Sequence, residues 1–78
     1  MDLNNKTELK RLIELGLPCY QQFGLSYMGA SPRPITKEKA LELLPNYSPG
    51  KGFYELSQLT INGKVSLLFT EYSESDMY

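Results

Sequence analysis

Apolar residues first recur along the chain at Leu9, Leu12 and Ile13, the spacing that lays side chains along one face of a helix. Lys6, Lys10, Arg11 and Glu14 fall largely off that stripe, where water solvates them. Asn5 followed three residues later by Glu8 resembles a capping box with Asn in place of Ser or Thr. At the other end Gly16 supplies the left-handed residue that stops a helix, and Pro18 follows close behind. A helix over residues 6–15 is predicted.

Between Pro18 and Ala30 the pattern supports two readings. Cys19-Tyr20-Gln21-Gln22 suits a short helical turn with Pro18 at its first position. Phe23, Leu25 and Tyr27 alternate with Gly24, Ser26 and Met28, which suits a half-buried strand. A strand over about 24–29 is expected, with 19–23 open between helix and strand. Gly29 to Pro34 reads as a loop, because each Pro removes a donor and biases its predecessor away from helix. Thr36 then caps a second helix whose inward face is Ala40, Leu41 and Leu44. Ile35 packs on Ala40 as a hydrophobic staple, and Pro45 ends the helix at Leu44. Pro45 to Gly52 holds two Pro and two Gly and reads as a loop.

The last element is a β-hairpin over 53–61 and 64–72. Asn62-Gly63 is its turn, since both central residues of a type I′ turn need positive φ. A two-residue turn fixes the register: Ile61 faces Lys64, Thr60 faces Val65, Leu56 faces Phe69 and Tyr54 faces Glu71. One face then carries Tyr54, Leu56, Val65, Leu67 and Phe69; the other carries Phe53, Leu59, Ile61, Leu68 and Tyr72. A hairpin with one wet face reads as simple alternation. Here both faces bear large side chains, so the second is either covered or left for a partner. The fold class that follows is α+β: two short helices packed on a small, about three-stranded, mainly antiparallel sheet ending in this hairpin. Residues 1–78 make one domain, with 73–78 an acidic tail that frays.

Composition adds limits. At 78 residues, 41% hydrophobic and 22% charged, the chain has the balance of an ordinary globular protein with a small core. A domain this short buries only about 60% of its unfolded surface, and oligomerisation is one way to enlarge the core. A net charge of −1, from 8 basic and 9 acidic residues, argues against binding held chiefly by nucleic-acid phosphates or anionic lipid. One cysteine permits no internal disulfide. No signal core precedes the first helix, so a reducing compartment is expected, the cytoplasm of a bacterium or of an infected host cell.

The chemistry is sparse. With no histidine, the commonest general base and metal ligand are missing, and with one cysteine a structural zinc site within the chain is excluded. The carboxylates sit on predicted helix faces or in the tail, without the contrasting surroundings that drive paired acid–base catalysis. Pro49-Gly50-Lys51-Gly52 fails as a phosphate loop: Pro45 stands where the first Gly belongs, and a strand follows instead of a helix. Cys19 has no Lys or Arg within seven positions on either side to stabilise a thiolate. No catalytic, cofactor-binding or metal-binding residue is therefore assigned, and the chain is read as not an enzyme.

Six tyrosines without a tryptophan point towards a protein partner, because tyrosine joins large contact area to a polar tip. The contact residues expected are Arg33, Tyr47, Lys51, Tyr54 and Tyr72, with Tyr47 in a loop outside the core. The function expected is a small regulator or inhibitor that binds another protein, of the kind a phage or mobile element encodes against a host complex. A homo-oligomer through the hairpin edge or second sheet face is a further expectation. The alternative is a nucleic-acid-binding accessory protein using Lys6, Lys10, Arg11, Arg33, Lys37 and Lys39, though Glu8, Glu14, Glu38 and Glu42 interrupt both clusters.

Overall fold

The first helix, α1, spans Lys6–Glu14, in the computed structural model that describes residues 1–24, 29–50 and 52–72. Its caps form where the sequence places them, but the capping box is only half made, since the Asn5 N–H donates to the Asp2 carbonyl at 3.2 Å. The Glu8 N–H donates to the Asn5 side chain at 3.1 Å. Gly16, at φ +108°, closes the helix with the Leu17 N–H donating to the Leu12 carbonyl and the Gly16 N–H to the Ile13 carbonyl.

Strand β1 is Cys19–Phe23, so the short helical turn does not form there. The decision is tertiary. β1 is held on both sides, and the Leu67 N–H reaches the Pro18 carbonyl at 2.9 Å. Gly24, at φ +90°, turns the chain where the expected 24–29 strand was to begin, and Gly29, at φ +94°, lies in a turn. Residues 25–28 lie outside those described. The loop expected over 29–34 holds for residues 29–32 and is corrected at its end, because β2, Arg33–Ile35, pairs antiparallel with β1. Pro34 is tolerated because β2 is an edge strand with a free side needing no donor.

Helix α2, Lys37–Leu43, begins as predicted, with the Thr36 hydroxyl accepting from the Lys39 N–H at 3.1 Å. Pro45 does not release the chain into a loop. Leu44–Asn46 tightens into a 3₁₀ turn that takes proline near its start, where no N–H is required. The Lys6 ammonium donates to the Leu44 carbonyl at 2.5 Å and to the Tyr47 carbonyl, tying α1 to the end of this turn.

Strands β3, Tyr54–Ile61, and β4, Lys64–Glu71, pair in the register deduced from Asn62-Gly63, whose φ values are +51° and +78°. The sheet order is β2-β1-β4-β3, with β1 parallel to β4. It is thus a four-stranded mixed sheet, not a three-stranded, mainly antiparallel one. Both departures have one origin: a short edge strand and a parallel contact between distant segments leave no local periodic mark.

Both helices cover one face. Leu9, Ile13, Ala40 and Leu44 bury against Cys19, Leu56, Leu67 and Phe69, with Tyr47 among them. Val65 and Tyr54 share that side but lie near the ends of the hairpin strands, and both stay half exposed. The opposite face holds Gln22, Ser66, Leu68 and Thr70 buried, with Leu59, Ile61 and Tyr72 half-buried around them. Among the described residues no helix is long and apolar enough to cross a membrane.

Candidate functional site

At one end of the sheet a rung of side chains faces the last turn of α2 across a cleft, and that rung is the site. The pairings place Phe23, Glu71 and Tyr54 side by side on β1, β4 and β3. Two residues inward, Gln21, Phe69 and Leu56 form the next rung of the same face. At about 4.8 Å between strands, Phe23 and Tyr54 stand roughly 10 Å apart with Glu71 between them. Phe23 is 60% exposed and Tyr54 46%, although both sit on paired backbone. Lys39 and Leu43 of α2, Asn46 of the 3₁₀ turn and Tyr47 form the facing wall. The whole encloses a cleft of about 590 Å³.

Tyr47 joins this cleft to the core. Its ring meets Phe69 edge-on at 5.3 Å between centroids and Tyr54 edge-on at 5.4 Å, so three rings run from the interior to the rim. Burial pushes the Tyr47 hydroxyl pKa above its ordinary value; a hydrogen bond with Gln21 opposes this, and Glu71 and Tyr54 add to it. Tyr54 is therefore held from beneath by a fixed side chain. The cleft also carries both charges, Glu71 on the floor and Lys39 on the wall. Lys39 lies 4.0 Å from Glu42, an exposed pair that constrains it little.

The five expected contact residues are dispersed. Tyr54 lines the cleft, at its rim. Tyr47 lines it too, but at 2% exposure it is a core residue, not a loop tip: the 3₁₀ turn swings it inward over Phe69. Arg33 is exposed on β2, beside Gln21, and does not line the cleft. Tyr72 lies on the opposite face, its hydroxyl donating to Glu55 at 3.1 Å. Lys51 lies outside the described residues. Sequence reasoning missed Phe23, Gln21, Leu43, Asn46 and Glu71, and had Lys39 only as part of the alternative nucleic-acid surface. The hairpin register already placed Tyr54 opposite Glu71; the missing step was the position of β1 beside β4, which no local pattern announces.

Of the basic residues considered for nucleic acid, Lys6 is engaged with the Leu44 and Tyr47 carbonyls, and burial lowers its pKa. With Lys10 it flanks a smaller hollow between α1 and α2, about 400 Å³, over Leu41, Leu44 and Pro45. Among the described residues no three His, Cys, Asp or Glu side chains gather as metal ligands would.

Cys19 is buried against the helices, its thiol pKa pushed up to about 11 by burial. Because the folded-state value lies above the unfolded one, its contribution to stability is complete below about pH 9 and is lost as pH rises through about 11. At about 1.4 kcal/mol per tenfold change in proton affinity, the loss is on the order of 2 kcal/mol. The urea midpoint is expected to fall across this window, and to fall less steeply in Cys19→Ala. Parallel slopes for the two proteins would remove Cys19 as the cause.

Comparison with protein-family models, curated proteins and solved structures finds no match to this chain.

Proposed function

We propose that this protein is a non-catalytic binding module, a regulator or inhibitor that acts by docking a segment of another protein in the cleft at the open end of its sheet. The observation that carries the reading is the rung Phe23–Glu71–Tyr54, two half-exposed aromatic side chains flanking a carboxylate on paired strands. Interfaces concentrate binding energy on aromatic side chains, and Tyr54, packed edge-on against Tyr47, is already held in place and loses little entropy on contact. The complementary segment carries an apolar side chain for the space between the rings and a charge of each sign for Glu71 and Lys39.

The test is retention of a partner from native lysate at low and high salt, with and without nuclease, by the wild type and by Phe23→Ser and Tyr54→Ser. The expected result is one protein held through salt and nuclease, with its affinity reduced roughly 30-fold or more in either variant, the scale of an interface hot spot. Both variants should keep most of the wild-type melting temperature, since both side chains are substantially exposed. Undiminished retention by both would move the interface elsewhere. Retention abolished by nuclease would favour the nucleic-acid reading and Lys10, Arg11, Arg33, Lys37 and Lys39, with Lys6 held by the Leu44 and Tyr47 carbonyls.

A further inference from the structure

Register decides which backbone groups of β3 are spoken for. Ile61 and Lys64 flank a two-residue turn and exchange both their hydrogen bonds, so Leu59, Ser57 and Glu55 also turn theirs towards β4. Tyr54, Leu56, Gln58 and Thr60 turn theirs outward. The first two meet Ser48: the Leu56 N–H donates to the Ser48 carbonyl at 3.0 Å, and the Ser48 N–H to the Tyr54 carbonyl at 3.2 Å. Beyond Leu56 no described residue pairs with this edge. Gln58 and Thr60 are exposed, and each presents an N–H and C=O along one line that no described residue pairs.

The two edges of the sheet differ. β2 is three residues long and includes Arg33 and Pro34, a charge and a missing donor of the kind that blunts an edge. From Leu56 to Ile61 the β3 edge has no charge, no proline and no glycine.

We infer that this edge pairs with a second copy of itself, β3 antiparallel to β3 about a two-fold axis at Leu59. Two alternative registers are weaker. Placing Gln58 opposite Gln58 of the other copy sets Thr60 opposite Leu56, whose N–H Ser48 already holds. Placing Thr60 opposite Thr60 leaves Gln58 facing the turn at Asn62. Setting Gln58 opposite Thr60 uses every outward N–H and C=O of both residues on both copies, four hydrogen bonds in all. The turn of one copy then ends beside Leu56 of the other, next to the Ser48 carbonyl that accepts the Leu56 N–H.

The side chains agree with that register. On the helix-bearing side Gln58 meets Thr60, polar against polar. On the other side Leu59 meets Leu59 of the second copy on the axis, flanked by Ile61, and no like charges oppose one another. Two four-stranded sheets become one of eight strands, which extends a core that a chain of this size keeps small. This surface is separate from the aromatic cleft and does not depend on its role.

Sedimentation equilibrium and disulfide trapping test it. The wild type should sediment as a dimer. Leu59→Lys sets two like charges on the axis and should raise the dimer dissociation constant roughly tenfold or more. Thr60→Pro should weaken the dimer as well, and it removes only an outward N–H, so the hairpin ladder survives. Paired residues without mutual hydrogen bonds bring their Cβ atoms to about 4.5–5.5 Å, so Leu59→Cys should cross-link on mild oxidation. Val65→Cys, exposed on the other strand, and the wild type with its buried Cys19 should not. A monomer at all concentrations overturns the inference. So does a dimer indifferent to Leu59→Lys and Thr60→Pro, or an edge occupied only by a strand from another protein.

Discussion

Leu67→Asp is expected to remove several kcal/mol of stability, the largest loss of any single substitution considered for this chain. Leu67 is wholly buried at the middle of β4, with Cys19 beside it on β1, Gln58 on β3 and the helices over its side chain. A carboxylate there has no cation within the core, so it either stays charged without water or takes up a proton at a raised pKa; either route costs several kcal/mol, on the order of 4–5. A chain of this length has roughly 4–12 kcal/mol in total, so the substitution removes a third or more of it. Val65→Asp is the matched control. It lies two residues away on the same face but is 44% exposed, so its cost should stay below about 1 kcal/mol. Urea unfolding followed by circular dichroism checks both, and equal midpoints for the two variants would contradict the burial that separates them.

The contrast between these two residues also shows where the sequence was informative. Alternation placed Val65 and Leu67 on one face, and Asn62-Gly63 fixed which β3 residues faced them. Both inferences are local, and both agree with the structure, as do the caps at Asn5, Gly16 and Thr36. What alternation does not carry is how far along a strand the helices reach, so Val65 and Tyr54 were grouped with residues buried far more deeply. The same gap hid the site. Phe23 belongs to a strand whose parallel partner lies far along the chain, and the alternation through Gly24 to Met28 drew attention past Phe23, leaving 19–23 open between helix and strand. Tyr47 was misplaced for a related reason. Proline and glycine rightly marked irregular backbone around it, but irregular backbone still delivers a side chain to the core when a 3₁₀ turn aims it there.

Tyr47 accordingly gives the second large effect, and the one that separates folding from binding. Tyr47→Ala deletes the ring between Phe69 and Tyr54 and leaves a void against the centre of the sheet. The cost for a buried aromatic is about 3–5 kcal/mol, with Tyr54 losing its support at the same time. Tyr47→Phe keeps both edge-on contacts and removes only the hydroxyl with its Gln21 partner, so about 1 kcal/mol is expected. It should also flatten the high-pH loss of stability, because the hydroxyl whose pKa burial raises is gone. Tyr54→Ala gives up one edge-on contact of about 0.5–1.5 kcal/mol and some half-exposed surface, so the fold survives it. If the cleft is a docking site, partner affinity should follow a different order from stability: retained in Tyr47→Phe, lost in Tyr54→Ala, and lost in Tyr47→Ala even under conditions where that variant is still folded. Calorimetric binding beside thermal melts of the three proteins makes the comparison. Affinities that merely track melting temperature would mean that the three rings hold the fold together and that the partner binds elsewhere.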